Sequence, residues 1–246
     1  MITNGWLDWA DRQPGIADKV YSETNRGYGL IGHSIVGTPA AALGRFLSTQ
    51  KDASGNYTSY AAASVMFINP KVGPLIQMYP VTASTWTSGG REANTSLWAI
   101  ESEGGAPGNE SEPLNDNQVA NLLRLAEEFE AHTGRRVVRA DGGGFHIGDT
   151  FREHGEVAQQ YGYAATACPS KRYQRFYDAL KARDDVTEQR VKELIKEAFD
   201  AGYNSGALAS TTDVLSCIAQ ITGVEPNTYS DRATVEAVRK VLGVKA

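Results

Sequence analysis

The strongest constraint on the fold is an alternation that runs from about residue 27 to about residue 178. Short apolar runs of strand character alternate there with segments whose apolar residues recur at helical spacing, and such alternation builds an α/β domain. Strands are expected at 27–35, 62–69, 74–80, 96–103 and 136–140. The runs 65–68 and 75–79 flank the turn Pro70-Lys71-Val72-Gly73 and read as a hairpin. The clearest helix covers 116–132, where Val119, Leu122, Leu123, Ala126 and Phe129 share one face and Gly134 stops the run. A shorter helix follows Thr38-Pro39, with Ala42, Leu43 and Phe46 inward. After Asp178 the pattern changes to three short amphipathic helices at 187–200, 211–222 and 231–242. The expected organisation is therefore one domain over 1–178 and a small C-terminal helical appendage of unassigned role over 179–246.

A chain of 246 residues that is 41% hydrophobic and 22% charged has an ordinary globular composition. Its net charge of −5 argues against a nucleic-acid-binding surface and against general attraction to anionic membranes. Neither nucleic acid nor stable membrane association is expected. With two cysteines, Cys168 and Cys217, there is no disulfide framework, so a reducing compartment is the expectation. The stretch from Met1 to Trp9 lacks a basic region followed by an apolar core, and no apolar run is long enough to span a bilayer. Synthesis as a soluble cytoplasmic chain is expected, with release by another agent if the protein acts outside.

Four residues far apart in sequence carry the candidate chemistry. His33 closes Tyr28-Gly29-Leu30-Ile31-Gly32-His33, and Glu101 falls near the end of Leu97-Trp98-Ala99-Ile100-Glu101-Ser102. His154 opens His154-Gly155-Glu156-Val157-Ala158, and Cys168 precedes Pro169. Two imidazoles and a thiolate make a three-ligand zinc site that leaves a fourth position for water, whose proton a nearby carboxylate can take. Each residue alone has a plainer role: a histidine after a strand is ordinarily a hydrogen-bonded structural residue, and a reduced cysteine a small buried one. No Cys-x-x-Cys pair or His-Glu-x-x-His helix is present. A catalytic site assembled from distant strands has this pattern, and so does chance.

Residues 25 to 175 resemble the zinc-dependent N-acetylmuramoyl-L-alanine amidases, a family that includes phage endolysins and shares its fold with peptidoglycan recognition proteins. The resemblance is carried, in order, by Leu30-Ile31-Gly32-His33, the hairpin with Gly73 and Gln77, Trp86-Thr87-Ser88-Gly89, Asn94, Ile100-Glu101-Ser102-Glu103-Gly104, the helix at 116–132, His154 to Ala158, and Cys168-Pro169. It implies a mixed central β-sheet flanked by helices, with an open cleft for a polymer substrate. It also implies that His33, His154 and Cys168 bind Zn2+, that Glu101 is the general base, and that bacterial peptidoglycan is the partner. The implied reaction cleaves the amide between N-acetylmuramic acid and L-alanine. An endolysin would reach the wall after release through a membrane pore. A cytoplasmic amidase that recycles wall fragments, or a peptidoglycan-binding protein without catalysis, are the alternatives.

The departures from the family pattern are specific. The hairpin tyrosine that assists catalysis in some members has no counterpart near Ser64-Val65, and Tyr60 is out of register. Thr166 stands where many members have lysine, and its hydroxyl can hydrogen-bond an oxyanion without bringing charge. Thr87 replaces the histidine of the usual Trp-His pair, and the stretch to Cys168 is lengthened near Tyr161-Gly162-Tyr163. Trp86, Asn94 and His146 are candidates for substrate contact, with Trp86 able to stack on a sugar ring. His132 caps a helix C-terminus, and Glu103 is either a second partner at the site or a solvated loop acid. Oligomeric state, host and wall chemotype are not encoded legibly.

Overall fold

A computed structural model of the protein describes residues 1–139, 150–164, 166–184 and 193. Backbone contacts divide the chain into Met1–Leu180 and Lys181–Ala246, and the first unit holds the elements below. His146, the glycine run 142–144, Cys217 and, apart from residue 193, the helices expected at 187–200, 211–222 and 231–242 lie outside the described residues.

Four two-residue strands open the chain: β1 (Ile2–Thr3), β2 (Trp6–Leu7), β3 (Asp11–Arg12) and β4 (Val20–Tyr21). Then come β5 (Gly29–Ser34), α1 (Pro39–Phe46), β6 (Phe67–Asn69), β7 (Ile76–Gln77), β8 (Ser84–Thr85), α2 (Arg91–Asn94) and β9 (Leu97–Ser102). The series ends with α3 (Asp116–Thr133), β10 (Phe151–Glu153) and α4 (His154–Tyr161), and residues 174–180 are again helical. The main sheet has six strands in the order β10-β5-β9-β6-β7-β3. Only β6 and β7 pair antiparallel; the other neighbours run parallel. This is the α/β domain that the alternation predicts, with the mixed central sheet flanked by helices that the family resemblance implies.

The sheet is buried on both faces, as a parallel sheet must be. Successive residues of a strand point to opposite sides. Leu30, Trp98, Ile100 and Phe67 therefore pack on one side with Leu122, Leu125, Ala126 and Phe129 of α3. Ile31, Leu97, Ala99 and Ile68 pack on the other with Ala42 and Phe46 of α1 and Val157 of α4. Local signals set the helix ends. Asn115 and Gln118 form a reciprocal capping box at the start of α3, and Gly134 closes it in the left-handed conformation. Thr38 caps α1, with Pro39 in its first turn.

Three expectations shift, the strand expected over 74–80 shortening to Ile76–Gln77. Residues 136–139 form no strand; the sheet edge beside β5 is instead β10, whose Phe-Arg-Glu sequence is too short and too charged to show a period. The strand expected over 62–69 shortens to Phe67–Asn69, because Ser64 turns its hydroxyl to the Lys19 carbonyl and accepts the Trp86 amide. Among the described residues, no helix is long and apolar enough to cross a membrane.

Candidate metal centre

Three strand ends deliver the site. β5 and β9 are parallel neighbours with His33 opposite Glu101; adjacent strands lie about 4.8 Å apart, so the sheet itself sets the spacing between these residues. Both fall on the side of Ile31 and Ala99 by strand alternation. β10 pairs with β5 as far as Glu153 opposite Gly32, and the chain passes directly into α4 with His154 as its first residue. The His33 and His154 rings consequently lie 4.4 Å apart between centroids. Cys168 arrives from the segment after α4. Its carbonyl accepts the Gly155 amide at 2.8 Å, and its Sγ accepts the Ser34 amide at 3.2 Å. Ligand atoms of His33, His154 and Cys168 all lie within 4.8 Å of one another.

Burial tunes each group. His33 is 2% exposed, and its pKa is held well below the usual imidazole value by burial and by the neighbouring His154. Burial also lowers His154, so both rings offer neutral lone pairs at pH 7. The Cys168 thiol is pushed up to about 12, chiefly by burial and then by Glu101. Glu101 is pushed up to about 8 by burial, against the opposing charges of Arg45 and Arg172. Its Oε2 is buried without a hydrogen-bond partner among the described residues, an arrangement that is costly unless a cation or a donor completes it. Two neutral imidazoles, one thiol and an orphaned carboxylate oxygen form a set that a zinc ion suits. Tetrahedral zinc holds N and S ligands roughly 3.3–3.6 Å apart, a separation within small side-chain adjustments of the limit observed.

Other side chains brace this geometry. Ser88 brings its Oγ to 3.4 Å from His33 Nε2, and its backbone faces His154; a lone buried serine has no sequence signature. Arg172 is fully buried, donating to the Ser34 hydroxyl and to the carbonyls of Ser102, Glu103 and Glu112. The Tyr173 hydroxyl donates to the His33 carbonyl at 3.0 Å and meets Ser102 Oγ at 2.8 Å. These two residues tie the chain just after Cys168 to the ends of β5 and β9. Arg172→Met is expected to lower stability by about 3 kcal/mol, since it strands several buried acceptors at once; denaturant unfolding of the metal-free protein measures it.

Gly155 is required by the close approach of the Cys168 segment. A Cβ there would stand 2.8 Å from the Thr166 carbonyl oxygen and 3.3 Å from that of Cys168. Gly155→Ala is expected to push Cys168 away from the two histidines and to weaken zinc binding by about tenfold, the scale of an outer-shell disruption. Competition against a chromophoric chelator reads this directly.

The remaining candidates divide. Thr166 Oγ1 accepts the Cys168 amide at 3.2 Å, which leaves its hydroxyl proton free to donate. Trp86 is half-buried, with the Tyr21 and Tyr57 rings edge-on at 6.3 and 6.0 Å. Asn94 is 4% exposed, and its Oδ1 accepts the amides of Thr87 and Ser88, so it shapes the loop that carries Ser88. The Glu103 carboxylate accepts the Lys71 amide at 2.7 Å, a loop brace. Among the hairpin positions, Ser64 and Val65 are fully buried.

No protein-family model matches the chain, and no curated protein does. Solved structures with a similar fold include a selenomethionine derivative of AmpD, 16% identical, covering 63% of this chain and 86% of that one, with a TM-score of 0.44. The N-acetylmuramoyl-L-alanine amidase LysC from Clostridium intestinale URNW is 14% identical over 73% of this chain and 99% of its own, with a TM-score of 0.46. The Staphylococcus aureus hydrolase AmiA, in complex with its ligand, is 14% identical over 71% and 82%, also at 0.46. Likeness at this level carries no functional inference; the chemistry of the cluster has to carry it.

Proposed function

We propose that the protein is a zinc-dependent N-acetylmuramoyl-L-alanine amidase of endolysin type, acting on bacterial peptidoglycan. The observation that carries this reading is the convergence of His33, His154 and Cys168 within 4.8 Å, in register with a carboxylate whose Oε2 has no partner among the described residues. The resemblance of residues 25 to 175 to that family supplies the substrate.

In this mechanism His33, His154 and Cys168 hold the metal. Bound there, a zinc ion would supply Lewis acidity toward the amide carbonyl, acidify water and favour the ionised form of Glu101. Glu101 takes a proton from the attacking water as its oxygen bonds to the lactyl carbonyl carbon. The C–N bond to L-alanine breaks, and Glu101 returns the proton to the departing nitrogen. The products are a lactyl carboxylate and a free alanine amino group. The Thr166 hydroxyl donates to the developing oxyanion. Ser88, Arg172 and Tyr173 hold the ligands in place.

The test is hydrolysis of purified peptidoglycan by zinc-loaded and chelated protein. Release of N-terminal alanine without new reducing sugar ends, abolished by chelation, is the expected result. Tight zinc binding with no release from several wall types would replace this reading with a peptidoglycan receptor.

A further inference from the structure

The sheet carries a second feature at the end opposite His33 and Glu101. A cavity of about 290 Å³ opens where the chain enters β5, lined by Arg26, Gly27, Trp98, His132, Thr133 and Arg135 among others. Trp98 belongs to the opposite face of β9 from Glu101, by strand alternation. Gly27 precedes His33 by six residues, roughly 20 Å of extended chain. The cavity and the metal cluster therefore share no residue.

Its lining is rich in donors. Trp98 is 1% exposed and lines the cavity; its indole N–H makes no hydrogen bond among the described residues and, unlike that of Trp9, is not sealed from solvent. That N–H faces the cavity. Gly27 lines the cavity too, and a Cβ on it would lie 3.7 Å from Trp98 Nε1 and 3.2 Å from the Thr133 methyl. The absence of a side chain at Gly27 keeps the indole N–H open. His132 lies beside the same indole, 5.8 Å between centroids. The Arg135 guanidinium rests on the Tyr28 ring at 4.9 Å and has no anionic partner among the described residues. Arg26 covers the same ring at 5.1 Å, and its Nη2 is held by Glu92 and Ser96 at 2.6 Å each. Glu92 thus offsets one of the two guanidinium charges.

Cations at the end of α3 have a structural reason, because the last carbonyls of a helix attract them. That reason does not account for an unpaired indole N–H open to the same cavity. Donor N–H groups with a free guanidinium beside them call for an acceptor bearing negative charge. We propose that this cavity binds a compact oxyanion, a carboxylate or phosphate, held by the Trp98 N–H and Arg135, with Arg26 and His132 at its edge.

The indole N–H resonance of Trp98 reads this directly in the zinc-loaded full chain. The chain has four tryptophans, so the cross-peak is assigned by its loss in Trp98→Phe, or by elimination with Trp6→Phe, Trp9→Phe and Trp86→Phe if that variant does not fold. Titration with inorganic phosphate, and separately with acetate, is expected to move this peak saturably with a millimolar midpoint. Chloride at matched ionic strength should leave it in place. Arg135→Gln, a change at an exposed position, should raise the midpoint at least fivefold. A response to phosphate alone assigns the site to phosphate; a response to acetate as well assigns it to carboxylates. No saturable shift with either anion, an equal shift with chloride, or an unchanged midpoint in Arg135→Gln would overturn the proposal.

Discussion

Glu101→Gln is expected to lower peptidoglycan hydrolysis by about 10²–10⁴-fold, the usual weight of a positioned general base, while zinc content stays at the wild-type level. The substitution preserves shape and removes only the ability to take a proton. A drop in kcat with little change in KM is the signature of a group used in the transition state. If zinc is retained and hydrolysis persists within a few-fold of wild type, Glu101 is not the base.

The same variant exposes a linked effect on stability. In chelated protein, burial holds the Glu101 pKa at about 8, so folding favours the protonated carboxyl. That contribution is complete below the ordinary carboxylate range and is lost as pH rises through about 8. The wild type should therefore lose on the order of 3 kcal/mol relative to Glu101→Gln between pH 5 and pH 8. Taking the difference between the two proteins cancels the histidines, whose depressed pKa values act with the opposite sign. Denaturant unfolding at a series of pH values measures this, and parallel curves would rule it out.

The second large effect concerns the ligand set. Cys168→Ser is expected to cost at least about a hundredfold in zinc affinity, more than loss of an outer-shell partner costs, and to abolish hydrolysis at limiting zinc. The Ser34 amide that now donates to Sγ would face a hydroxyl oxygen, a weaker zinc ligand than thiolate at neutral pH. Cobalt substitution gives an independent readout, since the sulfur-to-metal charge-transfer band should vanish in the variant. Retention of that band would remove Cys168 from the ligand set.

The site was legible in sequence to an unequal degree. His33 and Glu101 end apolar runs of clear strand character, so both their elements and their approximate level in the sheet follow from pattern. His154 was legible as a residue, but the strand that delivers it was not: Phe151–Glu153 has no period to read and is a strand only because β5 offers an edge. Arg172 and Tyr173 were invisible as site-bracing groups. Arginine and tyrosine in a polar stretch read as surface, and only the tertiary contacts show them buried against the ends of β5 and β9. Asn94 shows the converse. Its place in the family pattern suggests substrate, and the structure adds a bracing role that no pattern shows, two amides of the Ser88 loop on Oδ1.

The order of the strands also sets an order in time. A growing chain that has emerged through Thr133 contains β5, β9 and α3, and can set His33 beside Glu101 with one of the three proposed metal ligands in hand. The other two ligands come only with Phe151 to Cys168, and they are seated by a parallel pairing that reaches back across most of the domain, a slow kind of contact to form. On the proposed function, the base is thus in place before the metal can be. On that reading a nascent or truncated protein is inert toward an amide, and tight zinc uptake would report that β10 has docked.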